Sequence, residues 1–146
     1  MDNKKNKVRR VGTAFVIGGN SPKDNKFDGR ILRCFDEKYW AYHLGLSQKR
    51  DGVPSEKGKQ LNAKSIGIEL CCYGPLEKID GKFYFIASKD RKYEVPFSQV
   101  CELEEPWRGY RYFQHYTEKQ LAACKKLIIH LSNKFNIPLP LSLIHI

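Results

Sequence analysis

From Thr117 to Pro138 the chain carries a pattern that a single kind of element satisfies. Thr117 is a favoured helix N-cap, and Gln120, three residues on, completes a capping box. Leu121, Cys124, Ile128, Leu131 and Phe135 then recur at helical spacing and form one apolar stripe. Pro138 stops the run. The spacing predicts a helix over 118–136. A helix that is apolar on one side has to bury that side, so the rest of the chain must supply a layer for it to cover.

The preceding segments read as that layer. "TAFVIGG", Thr13 to Gly19, is short, β-branched and aromatic, and ends in glycines, as strands do. "RILRCF", Arg30 to Phe35, reads as the next strand, entered through Asp28-Gly29, and the two make a hairpin with a long connection. "SIGIELCC", Ser65 to Cys72, is the clearest buried strand, and its position suggests a central one. "YGPLEKIDGKFYFIA" has a Gly-Pro break and an Asp80-Gly81 turn before another strand-like piece. The polar run 47–64, with Gly and Pro, reads as an exposed loop. Residues 88–116, interrupted by Pro96 and Pro106, read as mostly irregular. Together these give an α/β fold, a central mixed β-sheet packed by a long C-terminal helix.

A length of 146 residues suits one domain with its own core. No run approaches a membrane span, which argues against a membrane partner. The charged opening "MDNKKNKVRR" leads into no apolar stretch, so no signal peptide is read and synthesis is expected in the cytoplasm. Lys and Arg number 26 against 16 Asp and Glu, a net +10 that favours polyanionic partners. Nucleic acid, acidic lipid and anionic wall polymers all qualify. The basic cluster Lys4 to Arg10 reads as a solvated terminus. The cysteines number five with no C-x-x-C, which argues against a disulfide framework or zinc knuckle and for buried free thiols.

Glu69 is the first chemical candidate. A carboxylate in an apolar strand must be solvated in a cleft, paired or neutralised. Ile66, Ile68 and Leu70 alternate onto one face, leaving Gly67 and Glu69 on the other. Gly67 is expected to leave open space beside the carboxylate, as the floor of a pocket would. A salt-bridged structural glutamate fits the pattern equally. His43, in "YWAYHLG" among Tyr39, Trp40 and Tyr42, has the aromatic surroundings of a cleft, and a partly buried structural histidine fits as well. His115 and His130 have no partner at metal-ligand spacing. Cys71 and Cys72 lie at an apolar strand end with no basic nest to activate a thiolate.

"SIGIEL", preceded by "WAYHLG", by a strand of the "TAFVIG" kind and by "DGRILRCFD", resembles the zinc-dependent N-acetylmuramoyl-L-alanine amidases. This is the amidase family of phage endolysins, bacterial wall-recycling enzymes and peptidoglycan recognition proteins. The resemblance runs in order from about Val11 to Ile137, and "YWAYHLG", "SIGIEL", "YGPL" and "GKFY" are especially like a phage and gut-bacterial branch. It implies hydrolysis of the amide between N-acetylmuramic acid and the L-alanine of the stem peptide. By position it implies that Glu69 is the catalytic acid/base and that His43, with Trp40 and Tyr39, lines the substrate cleft without binding metal. Thr13 and Ala14 stand where some relatives carry Tyr-His.

The resemblance also implies zinc in the full-length family, held by a histidine on an early strand and by ligands after the long helix. Neither segment is matched here, so the chain reads as a fragment whose metal site is incomplete and which is inactive alone. Residues 1–139 read as a partial amidase domain. The ending "LSLIHI" looks like translated sequencing-adapter DNA, so 140–146 read as a tail outside the fold, and His145 as a poor zinc ligand. The implied partner is peptidoglycan, with action on the bacterial wall as a monomer and no nucleic acid. A non-catalytic peptidoglycan-binding relative is the alternative. A small basic nucleic-acid-binding domain is a third reading, weakened by the lack of basic–aromatic alternation.

Overall fold

The structure, a computed structural model, describes residues 11–21, 24–46 and 55–139. In chain order the elements are β1 (Phe15–Ile17), β2 (Ile31–Arg33), α1 (Ser55–Ala63), β3 (Ile68–Leu70), β4 (Pro75–Ile79), β5 (Lys82–Ser88), β6 (Arg91–Val95), β7 (Val100–Trp107), β8 (Tyr110–Gln114) and α2 (Glu118–Phe135). The α/β class read from the sequence holds, but the strands form two sheets. One has the order β2-β1-β3, the other β6-β5-β4-β8-β7.

The three-stranded sheet is mixed. Cys34 N–H donates to Ala14 O and Gly18 N–H to Arg30 O, so numbering rises along β1 as it falls along β2. Phe15 N–H donates to Gly67 O and Cys71 N–H to Ile17 O, so β1 and β3 run together. Strand β3 is therefore an edge, not the central strand expected. Its side chains are exposed or half-buried, which suits a strand that carries a carboxylate.

The five-stranded sheet is antiparallel throughout and includes three strands within 88–116, the stretch read as irregular. The two prolines explain the misreading. Pro96 sits just before a short 3-10 turn, Phe97–Gln99, outside any ladder. Pro106 lies in β7, an edge strand, where the register shifts between Glu102 and Trp107. An edge and a bulge are the places where a proline costs a sheet little. The Asp80-Gly81 turn formed as expected, with φ of 50° and 79°, and joins Ile79 to its partner Lys82. Arg108-Gly109 repeats that turn between Trp107 and Tyr110, with φ of 52° and 85°. Both are two-residue hairpins with both central residues at positive φ, which match the twist of the flanking strands. Leu76, Phe83 and Val95 form the buried centre on one face, with Tyr73, Phe85, Val100 and Tyr112 packed round them. Tyr73 stacks on Phe85 at 4.7 Å and on Tyr93 at 5.9 Å.

Contacts divide the chain into two compact units, Met1–Val16 with Leu32–Glu69, and Ile17–Ile31 with Leu70–Ile146. In the second, α2 starts with the capping box in full: Gln120 N–H donates to Thr117 Oγ1, and Thr117 N–H donates to Gln120 Oε1. It ends at Phe135, where Asn136 takes the left-handed conformation. The buried residues of α2 are Gln120, Leu127 and Leu131, and Phe135 is 41% exposed. The buried side thus overlaps the stripe read by apolarity but is rotated slightly from it: Leu131 is buried, Leu121, Cys124 and Ile128 are half-buried, and Gln120 and Leu127 join them. Gln120 turns it, because its Nε2 donates to Cys71 O at 2.8 Å and lies 3.4 Å from Ile17 O. A buried amide with these partners carries little desolvation penalty.

In the first unit, Ser55–Ala63 is helical where a loop was expected. Leu61 is its one large apolar residue and is 41% exposed, so no apolar stripe was there to read. Its buried positions are Gly58 and Asn62, one turn apart. The expectation of buried thiols fails: Cys34, Cys71, Cys72 and Cys101 are exposed and Cys124 half-buried.

Candidate functional site

The site lies in the first unit and is built round His43. The histidine has no regular element of its own, and four neighbouring groups hold it. Asn62, 2% exposed, accepts from His43 N–H at 2.8 Å and from Leu44 N–H at 3.1 Å through one oxygen. Its amide donates to Gly58 O at 2.7 Å, which locks the side chain against its own helix. His43 Nδ1 lies 2.9 Å from Ala41 O. A carbonyl can only accept, so Nδ1 carries a proton. Nε2 lies 3.1 Å from Ser65 Oγ, and the serine hydroxyl donates to Leu61 O at 2.7 Å.

The fourth group is Gly67. A Cβ there would lie 2.9 Å from His43 Cγ and 2.8 Å from Thr13 Oγ1. The spot a side chain at Gly67 would take is filled by the histidine ring and the threonine, and the cavity opens beside them along Gly67 and Glu69. Glycine serves here for close approach: it lets His43 lie against the strand. Gly67 O accepts from both Ala14 N–H and Phe15 N–H at 3.1 Å, which fixes the strand's distance from its neighbour.

Glu69 and His43 line the same cavity, of about 830 Å³, together with Gly12, Thr13, Tyr42, Ser65 and Gly67. That volume is in the range of small-ligand sites. Glu69 is exposed, and among the described residues nothing forms a hydrogen bond or ion pair with its carboxylate. The salt-bridged alternative for Glu69 therefore has no partner among those residues. A free carboxylate beside a cavity can accept or deliver a proton once a substrate places an atom within hydrogen-bond reach.

Tyr39 and Trp40 line a second, smaller cavity, of about 10 Å³, which shares His43, Ser65, Ile66 and Gly67 with the first. It has room for about one water molecule and no more. The geometry thus brings His43 and Glu69 together and sets Tyr39 and Trp40 one step back. Trp40 meets Tyr42 edge-on at 5.2 Å, so it braces a residue of the larger cavity. Asn62, Ser65 and Thr13 were not singled out from the sequence. The only signal available was an Asn in a polar run, three residues before the Ser that begins "SIGIEL".

Zinc, implied by the resemblance, requires about three protein donors and an open position. Among the described residues no three His, Cys, Asp or Glu side chains stand close enough to share a metal ion. The one such group among the described residues that faces the cavity besides Glu69 is His43, whose two ring nitrogens are already engaged. The described residues therefore do not fit a zinc centre.

The family model of N-acetylmuramoyl-L-alanine amidase matches residues 2–145. The chain belongs to this amidase family. No curated protein and no solved structure matches the chain. The family acts on peptidoglycan.

Proposed function

We propose that this amidase-family chain engages peptidoglycan in the cavity shared by His43 and Glu69. Glu69 is the proton carrier for cleavage of the amide between N-acetylmuramic acid and the first L-alanine of the stem peptide. What carries the reading is the carboxylate of Glu69, without a partner among the described residues, on the wall of a ligand-sized cavity. Hydrolysis adds a water oxygen to the amide carbon and breaks the carbon–nitrogen bond. The lactyl group is left as a carboxylic acid and alanine as a free amine. A carboxylate can take the proton from the attacking water and pass it to the departing nitrogen, a contribution of about 10²–10⁴-fold. His43, fixed at both ring nitrogens, supplies a rigid wall against which the substrate is placed.

The donor inventory favours a second reading, binding to the wall without turnover, because the described residues bring no three metal donors together. One experiment separates the two. Purified peptidoglycan is incubated with the protein and zinc, then assayed for co-sedimentation and for newly released alanine amines. Amine release that falls at least about a hundredfold in Glu69→Gln, with sedimentation unchanged, supports the hydrolase. Sedimentation with no amine release supports the binding reading. Retention on heparin or RNA in place of the wall would overturn both.

A further inference from the structure

We infer that Asn62 and Ser65 are positioning residues for the cavity: together they set where His43 stands, although neither need touch the substrate. This rests on the reading that the His43 cavity receives the ligand.

Three observations carry it. Asn62 is buried, yet it sits in a helix whose other described side chains, Gly58 aside, are exposed. A buried amide is costly unless its bonds are made, and here the bonds go to the loop that carries His43. One oxygen takes the N–H groups of both His43 and Leu44, and the amide is oriented by Gly58 O. The loop is thereby held to the helix at the residue where it enters the cavity. Ser65 then fixes the ring: its Oγ meets Nε2, while its hydroxyl is aligned by Leu61 O. The α1 helix, polar and without an apolar stripe, thus uses its last turn and the residues just after it to orient one histidine. A second point follows from Ala41 O, which holds Nδ1. With both nitrogens and the backbone N–H held, the ring's place is over-determined, as a preorganised site requires.

The test uses the full chain with three substitutions. Asn62→Leu keeps the volume and removes both the acceptor and the donor. Ser65→Ala removes the ring partner at an exposed position, where the fold is not at stake. His43→Ala removes the ring itself. Affinity for purified peptidoglycan is measured alongside the ¹⁵N signals of the His43 ring and of the His43 and Leu44 amides. The expected result is a loss of binding of about tenfold or more in His43→Ala and in Asn62→Leu. Loss of exchange protection at both amides should accompany it in Asn62→Leu. In Ser65→Ala the ring Nε2 signal should shift with the amides unchanged, and binding should fall by less. Should Asn62→Leu fail to fold, Ser65→Ala still decides through its Nε2 signal and affinity. If His43→Ala binds as the wild type does, the reading of the cavity fails. If His43→Ala loses binding but folded Asn62→Leu and Ser65→Ala keep wild-type affinity and His43 signals, the cavity stands and the positioning inference is overturned.

Discussion

Replacing Gly67 by alanine introduces a methyl group where the structure has no room. The new Cβ would lie 2.8 Å from Thr13 Oγ1, 2.9 Å from His43 Cγ and 3.1 Å from His43 Cβ. Ordinary carbon–carbon contacts need about 3.5–4.0 Å, so the methyl overlaps its neighbours by about 0.5–1 Å. The strand cannot easily retreat, because Gly67 O accepts from Ala14 and Phe15 at 3.1 Å each. The histidine cannot easily retreat either, being held by Asn62, Ala41 and Ser65. Overpacking of this kind costs about 1–3 kcal/mol. Gly67→Ala should therefore lower the unfolding free energy by that amount, seen as a fall in the urea midpoint with the slope unchanged, and should shift the His43 ring signals. A stability within about 0.5 kcal/mol of wild type, with the His43 signals unmoved, would mean that the ring does not lie against the strand as described.

Leu131→Ala should cost about 2–5 kcal/mol in the same titration, because Leu131 is 4% exposed, whereas Phe135→Ala, at 41% exposed, should cost far less. Thr117→Ala should cost about 1 kcal/mol by removing the hydroxyl that accepts from Gln120 N–H. His115 presents Nδ1 to Tyr116 O and Nε2 to Ser98 O, each at 2.9 Å, and only the doubly protonated ring donates to both. Those bonds raise its pKa above the ordinary 6.5, with burial opposing. The stabilisation is fully present below the unfolded value and is lost as pH rises through the higher folded value. A melting curve series across that window should show the loss in wild type and not in His115→Asn; equal pH profiles would refute it.

The parts of this fold that were legible in the sequence are those where apolar pattern or turn chemistry is local. The capping box at Thr117 and the Asp80-Gly81 hairpin need only their own residues, and both formed. The helix α1 was not legible, because its buried side is Gly58 and Asn62, a pattern that apolarity does not mark. Strands β6 to β8 were hidden by two prolines, Pro96 before a turn outside the ladder and Pro106 where the register shifts in an edge strand. Within the site, His43 and Glu69 were chosen from their surroundings and from family resemblance, and the fold places both on one cavity. Gly67 was noticed as part of a pocket floor beside Glu69, and both line the cavity; what the sequence did not show is that the glycine also admits the His43 ring against the strand. Asn62 escaped notice because its role depends on a partner 19 residues away.

The most direct test of the account is to locate the ligand. A soluble muramoyl-peptide fragment is titrated into ¹⁵N-labelled protein, and the amide shifts are mapped along the chain. The account predicts shifts concentrated at Gly12, Thr13, His43, Leu44 and Ser65–Glu69, the residues that line the larger cavity. Shifts confined to the five-stranded sheet, with His43 and Glu69 unmoved at saturation, would contradict it.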